Sequence, residues 1–397
     1  MKKLITLLLL LALALPLLAQ AASGPEYQTK AINAYEKALP RFYKSIVDKM
    51  EFSLGWKDGS DPAAWKEAGL KKAKEIMIPW EDNTEFNMEV IAEEKRDGYT
   101  AKKVVFNLTE DSRVLGLLLV PNQKKKDIGK KLLPAALMLH DHGGKFTIGK
   151  EKMVMTFGDD DTSQKRLTES KTWASMYFKN KFPGDELAKR GYVVLSVDAL
   201  GWGDRSVKGW KGDSQQSLAS NFMNMGTSYA AYIALEDIRS AKFLASLPEV
   251  DKTKVAAVGF SFGAFRAWQL AALTDDITAC VAECWMATMK GCVTPDNNQM
   301  KGQSAFTMLH PFIAKYLDYP DVAGLAAPKP MRIEDGDQDH LFPRESAQEA
   351  FDKIGKIYAA NNAQDKYTYK FWTGKGHCFE PDMQEEAYSW LDKQFGR

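Results

Sequence analysis

The chain of 397 residues is 45% hydrophobic, 26% charged and 11% aromatic, a composition that supplies a large buried core and excludes disorder and fibrous repeats. Lys plus Arg number 53 and Asp plus Glu 52, a formal charge of +1, which leaves no electrostatic footprint for nucleic acid or an anionic membrane. A mean hydropathy of −0.35 excludes a polytopic membrane protein.

The first predicted element is a leader. Met1-Lys2-Lys3 is a charged start, residues 4–18 are apolar, and Ala19-Gln20-Ala21 offers the small-x-small pattern that a signal peptidase reads. Residues 1–21 therefore read as a signal peptide and the mature chain as secreted or periplasmic, with a charge of about −1 once Lys2 and Lys3 are gone. The rival reading is an uncleaved anchor, because residues 4–22 approach the roughly 20 apolar residues that span a bilayer. Pro16 and the small residues favour cleavage, after which no stable membrane insertion is expected.

Residues 22–85 read as an N-terminal helical extension. Apolar residues recur at helical spacing over 31–50, and Asp61-Pro62 opens a second helix that runs to about Met77. At Phe86 the period changes to two. Runs at 86–92, 99–107 and 114–120 are β-type, separated by Arg96-Asp97-Gly98 and Glu110-Asp111-Ser112, and predict an antiparallel meander. The basic run at 124–131 reads as a solvated loop.

After Pro121 strands and helices alternate. Strands are predicted at 133–139, 192–197, 255–258, 278–284, 330–333 and 367–371, and helices at 185–190, 229–247, 263–273, 346–359 and 382–395. Fully apolar strands alternating with helices predict an α/β protein with a doubly wound, mostly parallel sheet covered on both faces, preceded by antiparallel leading strands. With no linker rich in Pro, Gly or Ser to divide it, 86–397 reads as one domain. The stretches 145–183, 204–227 and 286–327 fit no core element and read as functional or partly structured insertions.

Four cysteines, Cys280, Cys284, Cys292 and Cys378, are too few for a disulfide scaffold. One bridge, Cys284 to Cys292 or Cys280 to either, is one reading; buried free thiols are the other. The spacing does not match a zinc site.

Gly259-Phe260-Ser261-Phe262-Gly263 follows an apolar strand and opens a helix. A serine at such a strand-to-helix turn projects its hydroxyl above the sheet, and the flanking glycines leave room for close backbone approach, so Ser261 is the candidate nucleophile. A serine needs a base, and a histidine held by a carboxylate is the usual one. In this architecture the acid and then the histidine follow the serine in the chain, which leaves His310, His340 and His377. His377 sits in Gly374-Lys375-Gly376-His377, directly after the last strand, and is the candidate base. For the acid, Asp335-Gly336-Asp337-Gln338-Asp339 offers three aspartates; Asp339, past the strand end, is favoured, with Asp337 in reserve. Backbone N–H groups for a developing oxyanion are sought at Phe262 and in His140-Asp141-His142-Gly143-Gly144, where His142 is preferred and Gly143 is next. The H-x-H pattern of His140 and His142 could also suggest a metal, but no matching ligand cluster follows, so neither a metal nor a cofactor is expected.

With these residues assembled, the chain from about Phe86 onward resembles the serine-dependent α/β-hydrolase superfamily, and most of all its secreted dienelactone-hydrolase-like and acetyl-xylan-esterase-like members. Gly259–Gly263 is similar to the nucleophile elbow, Gly336–Asp339 to the acid loop, Gly376-His377 to the histidine loop, and Asp198-Ala199-Leu200-Gly201-Trp202-Gly203-Asp204-Arg205 to the segment after the next strand. Two departures stand out: Asp141 occupies a position where many relatives have glycine, and Ser261 replaces the cysteine of dienelactone hydrolases proper. The resemblance implies the α/β-hydrolase fold and cleavage of a carboxylic ester through an acyl-enzyme, with a small-molecule or carbohydrate ester as substrate. A prolyl-oligopeptidase-like serine peptidase, or a binding protein on a hydrolase fold, are the alternatives. Trp173, Trp202, Trp210 and Trp285 lie in or beside the insertions expected to rim the site, where their faces would suit sugar stacking; plain packing is the other reading. The oligomeric state is not legible.

Overall fold

The computed structural model describes residues 44–123, 132–206, 214–293 and 305–397. The expected leader, most of the first expected helix, the basic run at 124–131 and Trp210 lie outside the described residues. Residues 44–48 form one helical turn with a Lys44–Asp48 ion pair of 2.6 Å and belong to one compact unit; the second unit begins at Glu51 and runs to Arg397.

In the second unit, helix α1 (Pro62–Met77) starts where Asp61 caps it by accepting from the Ala64 N–H, with Pro62 at its first position. It buries Trp65, Gly69, Ala73 and Met77, a four-residue repeat that gives it one apolar stripe. Strands β1 (Glu89–Arg96), β2 (Tyr99–Thr109) and β3 (Ser112–Pro121) form the antiparallel meander. β1 begins three residues later than the sequence suggests. Phe86, which led that reading, lies ahead of β1: its ring packs on Phe243 and Phe106, and its carbonyl accepts from Asn107 N–H of β2 at 2.8 Å.

The remaining strands are β4 (Leu133–Leu139), β5 (Val193–Val197), β6 (Val250–Phe260), β7 (Ala279–Glu283), β8 (Met331–Gly336) and β9 (Tyr367–Trp372). The nine-stranded sheet has the order β1-β2-β3-β5-β4-β6-β7-β8-β9. β3 pairs antiparallel with β5, and every pair from β5 to β9 is parallel. The expected α/β class, with antiparallel leading strands, is what the chain adopts.

Helices α2 (Asp161–Tyr177) and α3 (Pro183–Lys189) precede β5, α4 (Ser214–Asn224) and α5 (Tyr229–Ser246) precede β6, and α6 (Phe262–Leu273) follows it. The short α7 (Tyr319–Gly324) precedes β8, α8 (Arg344–Ala360) joins β8 to β9, and α9 (Pro381–Gln394) ends the fold. Residues of β4 to β7 on one face (Met138, Val194, Val258, Val281) pack with Leu187 of α3 and with Met383, Tyr388 and Leu391 of α9. Helices α5 and α6 pack on the strands as well, and α1 packs on both. Parallel strands buried on both faces explain why β4 reads as an unbroken apolar run and why every residue of β5 and β7 is buried, Ser196 and Glu283 included. The expected insertions are partly helical: α2 lies in the first, α4 in the second and α7 in the third.

Candidate active site

The parallel strands end on one edge of the sheet, and each candidate residue lies just beyond a strand end. Ser261 follows β6 with φ +56° and ψ −122°, a backbone conformation that residues with a Cβ rarely adopt and that costs on the order of 1–3 kcal/mol. The turn holds it there: Ser261 N–H donates to Glu283 O at 2.8 Å, and the N–H groups of Ala264 and Phe265 donate to Ser261 O. The two glycines of the motif are steric necessities. A Cβ on Gly259 would lie 2.0 Å from Gly263 O, and one on Gly263 would lie 1.9 Å from Leu139 O.

Asp339 and His377 meet Ser261 from the next loops. His377 Nε2 lies 2.8 Å from Ser261 Oγ and His377 Nδ1 lies 2.6 Å from Asp339 Oδ2. A carboxylate only accepts, so Nδ1 carries the proton and Nε2 is free to accept from the serine hydroxyl. The other oxygen of Asp339 accepts from Leu341 N–H at 2.9 Å, which fixes the carboxylate plane. The two loops touch through backbone, since a Cβ on Gly336 would fall 2.2 Å from Lys375 O. Asp337, the reserve acid, is occupied in the turn: its N–H donates to Trp372 O and its carboxylate accepts from Gly374 N–H. Of the other histidines, His340 is exposed and His310 is buried against Gln269 Oε1 at 3.0 Å. This arrangement can transfer a proton from Ser261 to an imidazole whose charged form faces a carboxylate.

The loop after β4 passes beside the serine turn, because the Cβ on Gly263 that would collide with Leu139 O would also lie 3.1 Å from His140 O. His140 is a neutral, structural histidine. Its Nδ1 donates to Asp141 O at 2.8 Å and its Nε2 accepts from Ala199 N–H at 3.0 Å. Burial, with the nearby Arg266 and Lys152 charges, holds its pKa well below the usual histidine range. His142 bonds Gln215 Oε1 through Nε2 at 2.8 Å and accepts from Gly144 N–H through Nδ1. The H-x-H nitrogens thus all have protein partners. The N–H of Phe262, at the first position of α6, is one of the helix-end donors with no carbonyl of its own helix to bond.

A family model described as "Abhydrolase family" matches residues 39–371. The chain belongs to the Abhydrolase family. The Bacillus subtilis (strain 168) protein named "Putative hydrolase YtaP" is 25% identical over 312 residues, 79% of this chain and 94% of that one. Among solved structures, a "putative acetyl xylan esterase" from Bacteroides fragilis is similar with a TM-score of 0.65 and 18% identity, over 83% of this chain and 81% of that one. A glucuronoyl esterase from Solibacter usitatus gives 0.59 and 14%, over 88% and 98%. At these identities the structural likeness is one of fold, the α/β-hydrolase fold.

Within this Abhydrolase chain the packing reading, and not sugar stacking, fits the three described tryptophans. Trp173, Trp202 and Trp285 are buried at 7%, 0% and 2% exposure. Trp202 stacks on Phe262 at 5.7 Å between ring centroids and donates its indole N–H to His142 O, while Trp173 donates to Asp141 Oδ2 at 3.0 Å. Trp285 packs among Phe265, Tyr319 and Phe342. The segment from Asp198 to Arg205 is likewise scaffolding. Asp198 accepts from the Lys150 N–H at 2.7 Å and from its ammonium at 2.6 Å, and a Cβ on Gly203 would strike that carboxylate.

Asp335 and Cys284, both offered by the sequence, are buried beside the site. Asp335 lies beside Asp339 and Cys284. Burial and the Asp339 charge push its pKa well above the carboxylate range. Burial also pushes the Cys284 thiol up, and all four cysteines are free and buried, so the bridged reading is not adopted. Among the described residues, Cys284, Asp339 and His377 are the one trio whose ligand atoms all lie within 4.8 Å of one another, and both His377 nitrogens are already engaged. No helix among the described residues is long and apolar enough to cross a membrane.

Proposed function

We propose that the protein is a serine-dependent carboxylic-ester hydrolase. The observation that carries this is the unbroken hydrogen-bonded line from Ser261 Oγ through His377 to Asp339, at 2.8 and 2.6 Å. Ser261 Oγ attacks the acyl carbon while His377 Nε2 takes its proton, and Asp339 stabilises the imidazolium. The N–H groups of Phe262 and of His142, with Gly143 in reserve, hold the oxyanion. His377 then protonates the departing alcohol, and water repeats the sequence to free the serine.

The substrate we propose is an acylated, in the first instance acetylated, carbohydrate or small ester, and the site of action is outside the cytoplasm after removal of residues 1–21. The substrate reading draws on fold neighbours described as an acetyl xylan esterase and a glucuronoyl esterase, since the buried tryptophans do not support it. The test is turnover of p-nitrophenyl acetate, acetylated xylan and Gly-Pro-p-nitroanilide by the wild type and Ser261→Ala. Ester turnover lost in Ser261→Ala is expected; equal turnover by both removes the assignment, and anilide turnover without ester turnover replaces it with a peptidase.

A further inference from the structure

Lys152 is a buried cation that the proposed reaction leaves unused. It closes a short 3-10 turn, Lys150–Lys152, and its side chain is fully buried. Its Nζ lies 3.2 Å from Asp141 O, 3.0 Å from His142 O and 3.3 Å from Asp141 Oδ1, and 4.6 Å from the centre of the Trp173 ring. Each of those carbonyls has a second donor: His140 Nδ1 on Asp141 O at 2.8 Å, and Trp202 Nε1 on His142 O at 3.1 Å. Asp141, the departure noted in the sequence, completes the clamp by accepting from both Lys152 and Trp173.

A trans peptide points its N–H opposite to its C=O. The Asp141 carbonyl shares its peptide with the His142 N–H, and the His142 carbonyl shares its peptide with the Gly143 N–H. These are the two candidate oxyanion donors of the loop. With both carbonyls held on the Lys152 side, both N–H groups turn to the opposite side of the strand of backbone. A cation bonded to the carbonyl also polarises the peptide, which strengthens its N–H as a donor. An ion pair with Asp141 alone would be a poor reason to bury an ammonium, because such pairs are often replaceable by apolar groups at no loss. The two carbonyl bonds are what an apolar residue could not supply.

We infer that Lys152 is a positioning residue of the oxyanion hole, aiming and polarising the peptide N–H groups after β4. This rests on the proposed serine chemistry. Two variants separate it from simple packing. Lys152→Met keeps the aliphatic stem and removes the ammonium; Trp202→Phe removes one indole N–H and keeps an aromatic ring against Phe262. The readouts are kcat and KM on p-nitrophenyl acetate and the inhibition constant of a trifluoromethyl ketone, whose serine adduct carries the oxyanion. Lys152→Met is expected to lose roughly 100-fold in kcat, with ketone affinity falling by a similar factor and KM within about threefold. Trp202→Phe is expected to show the same coupling at roughly tenfold, and it decides alone if Lys152→Met does not fold. Altered KM with unchanged kcat and ketone affinity, or a kcat loss that ketone affinity does not follow, overturns the inference. A ketone that binds Ser261→Ala as tightly as the wild type overturns the serine chemistry beneath it instead.

Discussion

The sharpest structural prediction concerns Gly263. A methyl group there would sit 1.9 Å from Leu139 O, 2.6 Å from Leu139 C and 3.1 Å from His140 O, all backbone atoms that cannot swing aside like a side-chain tip. Relief requires the start of α6 and the end of β4 to separate by about an ångström before the nearest contact reaches even 3.0 Å. Two consequences follow. Overpacking of this kind costs about 1–3 kcal/mol of stability. The same shift moves Ser261 relative to the loop carrying His142, and a misplacement of about 1 Å in a reacting geometry can cost roughly 100-fold in rate. Gly263→Ala should therefore lower kcat on p-nitrophenyl acetate by about two orders of magnitude, out of proportion to its loss of Tm. The checks are thermal unfolding by circular dichroism and steady-state kinetics on the folded protein. Wild-type kcat together with wild-type Tm would refute the packing of the serine turn on the β4 loop.

Further outcomes follow from single groups. Asp339→Asn keeps the shape but lets the imidazole adopt the wrong tautomer, so kcat should fall on the order of 10³–10⁴-fold with little change in Tm; activity within tenfold of the wild type contradicts the acid's role. His310 is pushed down to about 3 by burial, whereas an unfolded histidine titrates at about 6.5, so the unfolded state takes up the proton first as pH falls. Its contribution is complete above the unfolded value and is lost between about pH 6.5 and 3, on the order of 4–5 kcal/mol at most. Urea unfolding at pH 7 and 4.5 should show a smaller acid loss in His310→Gln than in the wild type, and equal losses would refute this. Glu283 is fully buried, and burial with the nearby Glu334 raises its pKa well above the usual range. A raised carboxyl stabilises fully below the unfolded value of about 4.3 and loses that contribution as pH rises. Glu283→Gln should gain Tm over the wild type increasingly from pH 5 to 8, and a pH-independent difference would count against it.

Legibility in the sequence followed the range of the interactions. Helix α1 was readable to its bounds because Asp61-Pro62 is a local start signal, and β4 because a strand buried on both faces is an unbroken apolar run. Ser261, Asp339 and His377 stood out because each needs a particular loop chemistry beyond a strand end, and the structure brings these three together. The preference for Asp339 over Asp337 rested on its place past the strand end, three residues after Gly336 and four before Pro343. What stayed hidden was contact between loops far apart in the chain. Lys152, Trp173 and Trp202 converge on Asp141 and His142 from 10 to 60 residues away, and nothing in their local spacing announces it. The tryptophans stayed ambiguous between stacking and packing for the same reason: composition shows an aromatic residue near a site, and only packing shows whether its face is free, which for Trp173, Trp202 and Trp285 it is not. Phe86 misled similarly, since an aromatic at period two looks like a strand residue until its partners, Phe106 and Phe243, are seen.

The central claim is that Ser261 is the nucleophile, and covalent labelling tests it most directly. The protein is treated with a p-nitrophenyl phosphonate ester and the adduct located by peptide mass spectrometry, with Ser261→Ala and His377→Ala in parallel. One adduct per chain on Ser261 is expected, absent in Ser261→Ala and much slower to form in His377→Ala. An adduct on another residue, or labelling of the wild type no faster than of His377→Ala, would contradict the account.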